Sequence, residues 1–539
     1  MKTIKALLSL YAVVAVANVT AQTAIIKKEL SPDVREQYIQ QANQYRKEEN
    51  YAAAIMQLDS ILAANPNDAG VLLYKGDLKL QSNLFSDAVE TYKQLLPLNF
   101  EPTITRINLS YALFMNHQPA KALQFAKLAW EKDSSNTNAI VNYFNAMLWN
   151  IKTKEAGNFL QQQQSSLTAA QVLVLKARLY TTSGDYSNGL LFYDSLVKTY
   201  PNKYYAQEYA EVLLGKKEIQ QSLAVIKKHD SLFSANEYKV LQQKIKAAQL
   251  QQAGTEFVYF KDVAKNIRIE NSVWWQQREG VKYRFRLSAG MSSITSAQNE
   301  KTKAQFGHLS ITERWNKTWS GQTDLHLQLI QPTGSKSFSG LTGKQTAQYQ
   351  PNDRRMFGIT YSTDILNYTA SLLGKNIRSN SLGYVTHILI TGKTGFYSQG
   401  SWAVLNDKNQ YQQFFGSVYH LFRTEPTLKA GINFSAVHYK DNTIKTYFSP
   451  NKYFSTETFV DYSTALPMLS KFYLQLQAAA GMQKIEEQKW DPAYRFQTEI
   501  GMRLNHFETA LKYQTSNVAS STGTGYKFDW FTLRVMWKW

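Results

Sequence analysis

The last nine residues of the chain constrain its fold most. From Phe531 the sequence alternates strictly. Phe531, Leu533, Val535, Trp537 and Trp539 fall on one side, and Thr532, Arg534, Met536 and Lys538 on the other. Side chains along a strand have period two, so one face is wholly apolar and carries two tryptophans. Exposed to water such a face invites edge-to-edge aggregation. Facing lipid, with its tryptophans at headgroup level, it is stable. The strand therefore predicts a transmembrane β-barrel that closes with the end of the chain.

The other end agrees. Met1-Lys2-Thr3-Ile4-Lys5 precedes an apolar run from Ala6 to Val19 and a small residue at Ala21. This is the pattern of a secretory signal peptide spanning 1–21. The run is shorter than the roughly 20 residues a helical span needs. The chain has no cysteine, which excludes disulfides, thiol nucleophiles and cysteine-ligated metal. Its net charge is +19. For an exported protein that charge predicts anionic lipopolysaccharide or a polyanionic substrate rather than nucleic acid.

Residues 22–252 read as helical repeats. Ala54, Ala88, Ala122 and Ala156 recur at intervals of 34, and Ala42 and Gly76 each stand twelve residues before one of them. Tyr45 and Lys79 follow those small residues by three, and Pro66 closes the first unit. Ala177, Tyr180, Gly189 and Pro201 repeat the internal spacing. Small residues let paired helices approach closely, and the proline ends the second helix of a unit. The spacing resembles the tetratricopeptide repeat, over about six units with a capping helix at 237–250. Repeats of this kind stack into a solenoid whose concave face binds extended ligands. Asn43, Asp77, Tyr111, Asn145 and Arg178 fall in one phase as candidate groove residues.

From 253 to 539 alternation replaces helical spacing. Arg284, Arg286 and Ser288 oppose Phe285, Leu287 and Ala289, Asp324 opposes Leu325, and Glu499 and Arg503 oppose Ile500 and Leu504. Segments of about ten alternating residues divided by Asn, Gly, Asp and Ser clusters predict a transmembrane barrel of about 16 antiparallel strands. Asn505-His506 and Asp441-Asn442 read as short joints, alternating with longer polar stretches such as Gln331 to Asp353. An even strand number returns the chain to the side of the repeats, the periplasm. The fold expected is thus an α + β chain of two domains, an α-solenoid followed by a barrel. Arg284, Arg286, Asp324, Glu499, Arg503 and Arg534 are candidate pore-lining residues.

A helical-repeat region followed by a basic barrel is similar to the architecture of exopolysaccharide export proteins. Tyr447-Phe448-Ser449-Pro450-Asn451-Lys452-Tyr453 resembles the Tyr-x-Ser-Pro-x-x-Tyr element of the cellulose synthase C subunit barrel. On this likeness Tyr447, Ser449, Pro450 and Tyr453 are family-like site residues. The order of domains also resembles the poly-N-acetylglucosamine export porin and YaiO-type barrels. The resemblance implies an outer-membrane channel for a polysaccharide, with periplasmic repeats that guide polymer or contact periplasmic or inner-membrane synthesis proteins. It implies no cofactor. The eight histidines show no HExxH spacing, and neither a GxSxG elbow nor a phosphate loop occurs, so no catalytic or metal site is expected. A barrel-anchored repeat scaffold and a nonspecific diffusion porin are the alternative readings.

Overall fold

The computed structural model describes residues 30–466, 469–518 and 527–539; the expected signal peptide lies outside them. By internal contacts the chain divides into two compact units, Met1–Ala146 and Met147–Trp539.

Among the described residues, thirteen α-helices run through the first half of the chain. In order they are α1 (Pro32–Lys47), α2 (Tyr51–Ala64), α3 (Ala69–Gln81), α4 (Phe85–Leu95), α5 (Pro102–Met115), α6 (Pro119–Lys132) and α7 (Thr137–Trp149). There follow α8 (Thr153–Gln163), α9 (Ala169–Thr182), α10 (Tyr186–Thr199), α11 (Lys203–Gly215), α12 (Ile219–Lys228) and α13 (Ala235–Ala247). In the first unit α1 pairs with α2, α3 with α4 and α5 with α6; in the second, α9 pairs with α10 and α11 with α12, and α13 follows α12. The 34-residue alanines explain the pairing, since Ala54, Ala88 and Ala122 are 0% exposed where the helices of a pair meet, and Ala156 is equally buried on α8. The turns after α1, α3, α5, α7, α9 and α11 each use one left-handed residue: Glu49, Asn83, His117, Ile151, Gly184 and Lys217, at intervals of 33 or 34. Only one of the six is glycine, so the others carry modest backbone strain that the flanking helices hold in place. Short polar caps begin many helices. Asp68 accepts from the Val71 N–H, for example, and Thr168 and Ser234 form capping boxes with Gln171 and Glu237.

The second half is a closed antiparallel barrel of sixteen strands in sequence order. The first eight are β1 (Gln252–Asp262), β2 (Ile267–Gln276), β3 (Tyr283–Thr295), β4 (Lys301–Arg314), β5 (Trp319–Pro332), β6 (Phe338–Asn352), β7 (Arg355–Ile365) and β8 (Arg378–Leu389). The last eight are β9 (Thr394–Leu405), β10 (Gln410–Arg423), β11 (Thr427–Tyr439), β12 (Tyr453–Leu466), β13 (Leu469–Ile485), β14 (Asp491–Arg503), β15 (Phe507–Ser516) and β16 (Phe528–Lys538). Closure comes from β1 pairing β16, from Gln252 opposite Lys538 to Asp262 opposite Phe528.

The outward face is apolar. Leu327, Ile359, Leu511, Trp537 and Trp539 are each more than half exposed, an area that water does not tolerate but lipid does. No helix among the described residues is long and apolar enough to cross a membrane. The crossing element is the barrel.

Two local expectations fail. Gln331–Asp353 is not a polar connection between strands, because 338–352 is β6, paired on both sides. Asp441-Asn442 is not a tight joint but the start of a loop running to 452.

Candidate functional site: the barrel interior

The alternating residues opposite the lipid face line the lumen, and all six candidate pore residues lie on this face. Near the rim that bears both ends of the barrel, three of them converge. Arg534 lies 3.5 Å from Glu499 and 3.8 Å from Glu508, and Arg503 lies 3.6 Å from Glu508. Lys538 adds a third cation at 3.4 Å from Glu508. Tyr473 donates to Glu499 at 2.8 Å, and the Arg503 guanidinium covers its ring at 4.1 Å. Arg284 and Arg286 stand on β3 instead. Arg284 pairs with Glu279 in the adjoining turn, and Arg286 stacks on Trp274 at 4.2 Å. Asp324 is apart on β5, 3.4 Å from His308.

Residues not singled out in the sequence build the wall formed by β9 to β14. Lys429 pairs with Asp461 at 2.7 Å and lies between the rings of Tyr419 and Phe459, at 5.1 and 5.8 Å. Gln477 donates to Asp461 at 2.7 Å, and Arg495 pairs with Glu457, which is 1% exposed. Tyr397, Phe415 and Asn433 line the same cavity of about 550 Å³. Cation and carboxylate thus neutralise one another around flat aromatic faces. The basic excess of the chain lies elsewhere. Lys261, Lys301, Lys303, Lys336, Lys440 and Lys445 are exposed at the rim remote from the repeats.

That remote end is narrowed from inside. A short helix, α14 (Ala370–Gly374), follows β7 and begins at Thr369, whose hydroxyl accepts from the Leu372 N–H. Ala370 and Leu373 pack on the inward residues Ile294, Ala304 and Ile330. Thr302 donates to the Ala370 carbonyl at 2.9 Å, and Arg268 donates to the Asn367 carbonyl.

The family-like element closes over this helix. Tyr447 packs with Leu366, Leu372 and Leu405 beside Tyr368, Tyr411 and Tyr439. Its hydroxyl donates to Asp407 at 2.9 Å and accepts from Asn409 at 3.0 Å. Burial, and the Asp407 carboxylate, push that hydroxyl well above the usual phenol range. Ser449 donates to the Ile444 carbonyl at 2.6 Å, and the Pro450 carbonyl accepts from Tyr439 N–H at 2.8 Å. Tyr453 donates to Gln483 at 3.2 Å. These residues shape the loop and tie it down, Ser449 within it, Tyr447 to the β9–β10 turn and Tyr453 to β13. The cue for α14 was present in the sequence, as a Thr cap followed by Ala-Ser-Leu-Leu-Gly.

Several of the groove candidates on the repeats likewise bond to neighbouring helices. Tyr74 donates to Asn43 at 2.7 Å. Asp77 accepts from Tyr92 at 2.5 Å and from Asn108 at 3.0 Å. Arg178 forks onto Glu208 through two contacts of 2.6 Å, and Tyr193 donates to the same carboxylate at 2.6 Å. Each bond reaches the next unit about 31 residues on, or the Tyr about 15 residues on, so this phase forms a ladder along the solenoid. Burial raises the Asp77 carboxyl above its ordinary range despite the two donors. Tyr111 is 44% exposed on α5, and Asn145 is partly buried on α7.

Comparison with known proteins follows this division. Residues 45–103 match the tetratricopeptide repeat model. Residues 375–538, which hold β8 to β16, match the cellulose synthase operon protein C C-terminus model. Among solved structures, a bacterial polysaccharide outer membrane secretin aligns over 54% of this chain and 99% of its own, at 8% identity and a TM-score of 0.44. A tetratricopeptide repeat protein from Parabacteroides merdae aligns over 42% and 89%, at 15% identity and a TM-score of 0.35. Pseudomonas aeruginosa OccK5 (OpdH) aligns over 54% and 97%, at 12% identity and a TM-score of 0.32. No curated protein gives a significant match. The chain thus carries helical repeats, similar over residues 45–103 to the tetratricopeptide repeat, ahead of a sixteen-stranded barrel that is similar over β8 to β16 to the C-terminus of cellulose synthase operon protein C.

Proposed function

We propose that this protein is an outer-membrane conduit for an uncharged exopolysaccharide, with its repeats on the periplasmic side. The observation that carries the reading is the wall from β9 to β14. Tyr419 and Phe459 present ring faces beside Asn433 and Gln477, while Lys429 and Asp461 cancel each other. Sugars stack on aromatic faces and exchange hydrogen bonds with planar polar groups. Weak, repeated contacts of this kind let a polymer pass, whereas strong sites stall it. An unpaired basic lumen would instead favour a polyanion. The match of β8 to β16 to the cellulose synthase operon protein C C-terminus supports the same reading.

The exposed lysines of the remote rim then meet lipopolysaccharide phosphates, and the repeats meet the polymer or its synthesis proteins. No step in this reading requires catalysis. A deletion strain tests it by its secreted polymer. Loss of the extracellular polysaccharide, restored by the intact gene but not by a Tyr419→Ala/Phe459→Ala double variant of normal abundance, supports the reading. Unchanged secretion in the deletion strain refutes it.

A further inference from the structure

The lipid-facing wall of the barrel is not smooth. Across β8 to β12, near the rim remote from the repeats, it is hollowed into an open groove of about 1,100 Å³. The hollow follows from residue size. In register around the wall, Tyr384 on β8 faces Gly400 on β9, Gly400 faces Phe414 on β10, Phe414 faces Ala436 on β11, and Ala436 faces Phe454 on β12. Large and small side chains therefore alternate. Tyr384 and Phe414 also tilt away from the remote rim. A Cβ added at Gly400 would stand 2.6 Å from the Tyr384 ring, whose hydroxyl shares a hydrogen bond of 3.1 Å with Ser398. A Cβ added at Gly416 would stand 3.1 Å from the Phe414 ring. On the remote-rim side of these two rings lies the hollow, with Ala436 in its floor and Leu382 and Trp402 along one edge. Phe454, with Trp490 edge-on at 6.0 Å, forms the other edge.

The groove changes character along its length. Its membrane end is apolar, and its outer end lies among His438, Lys452 and Lys484. Lys484 stands opposite Phe454 on the same outer face. Lys452 pairs with Glu487 at 2.9 Å, but both side chains are at least 70% exposed, so the pair is weak and yields to a competing anion. Glu486 is committed to the loop, accepting from the Asn451 N–H at 2.6 Å and the Lys452 N–H at 3.2 Å. An apolar hollow edged by tryptophans at headgroup level, with lysines at its outer end, complements an acyl chain that carries a phosphate. With the repeats on the periplasmic side, this rim meets the outer leaflet, where the phosphorylated lipid is lipopolysaccharide. A second copy fits less well, because an isologous contact sets hollow against hollow.

We propose that this groove is a binding site for lipopolysaccharide, with acyl chains along Leu382, Trp402, Phe414 and Phe454 and a lipid A phosphate at Lys452 and Lys484. The inference rests on the outer-membrane location in the reading above and is independent of what the lumen conducts.

The full chain is purified in detergent, stripped of lipid and titrated with diphosphoryl lipid A, with phosphatidylglycerol as the competing anionic lipid. Native mass spectrometry reads the bound species. Lipid A should bind ahead of phosphatidylglycerol. Lys452→Glu/Lys484→Glu should weaken it by about tenfold, and Ala436→Trp, which fills the hollow, by several-fold. Leu327→Trp, the same bulk on the lipid face of β5, should leave binding unchanged. Heat-modifiable migration checks that each variant keeps its barrel. Equal binding of the two lipids overturns lipopolysaccharide as the occupant. Groove variants that bind as the unaltered chain does overturn the site, and a dimer lost in Ala436→Trp gives the groove to a second copy and overturns the proposal. A native chain that fractionates with inner membranes overturns the location on which both readings stand. The secretion test above reads the lumen alone, so its failure is a separate one.

Discussion

The Tyr447 hydroxyl donates to Asp407 at 2.9 Å and accepts from Asn409 at 3.0 Å, joining the 440–452 loop to the β9–β10 turn. Tyr447→Phe leaves both partners short of a bond in a buried site. It should cost about 1–3 kcal/mol of local stability. Hydrogen exchange should rise in residues 440–452, with heat-modifiable migration of the barrel unchanged. Unaltered exchange there would show that packing alone holds the loop.

Lys429 neutralises Asp461 in the lumen at 2.7 Å. Lys429→Met keeps much of the stem that lies between Tyr419 and Phe459 but removes the charge. The freed carboxylate should shift the reversal potential of reconstituted channels toward cation selectivity, and more strongly at low salt. Asp461→Asn should shift it the opposite way.

Gly76 lies under the ring of Tyr92, where an added Cβ would be 2.5 Å from the nearest ring atom. Tyr92 is fully buried and its hydroxyl is committed to Asp77. Gly76→Ala should therefore overpack the α3–α4 pair and cost about 1–3 kcal/mol. Helical melting of the intact protein, followed by circular dichroism, measures it. Gly215→Ala, with open space around it, is the control and should not destabilise.

Asp77 has its carboxyl raised by burial. Folding therefore favours the protonated form. The stability this contributes is fully present below the unfolded value, about 3.9, and is lost as pH rises through the raised folded value. Asp77→Asn should raise the helical melting temperature at pH 7 and give no gain at pH 3. A gain of equal size at both would mean that ionisation plays no part.

Much of this molecule is legible in its sequence because two periodicities differ. Alanines at 34-residue intervals need close helix pairs, and Phe531 to Trp539 needs a lipid-facing strand. Where both faces of a strand are polar or small, periodicity carries little hydropathy signal. Hence β6, with Ser339-Gly340-Leu341-Thr342-Gly343-Lys344-Gln345, reads as a loop although it is paired throughout. The interior was legible one strand at a time. The choice of partners for Arg534 or Lys429 depends on register between strands far apart in sequence. The four residues of the Tyr447 element were visible as a motif, but their role in shaping a loop depends on Asp407, Asn409 and Leu372, which no local pattern links to them.

The seam between β1 and β16 has a mechanical consequence. Gln251 and Trp539 exchange both backbone hydrogen bonds, at 2.8 and 3.0 Å, so the seam is closed at the rim where the repeats join. A pull transmitted from α13 reaches Gln252 along the axis of β1. It loads the eleven residue pairs with β16 and the ten with β2 in parallel, in shear, rather than opening them one after another. The strand nearest the source of tension is therefore among the hardest to peel away.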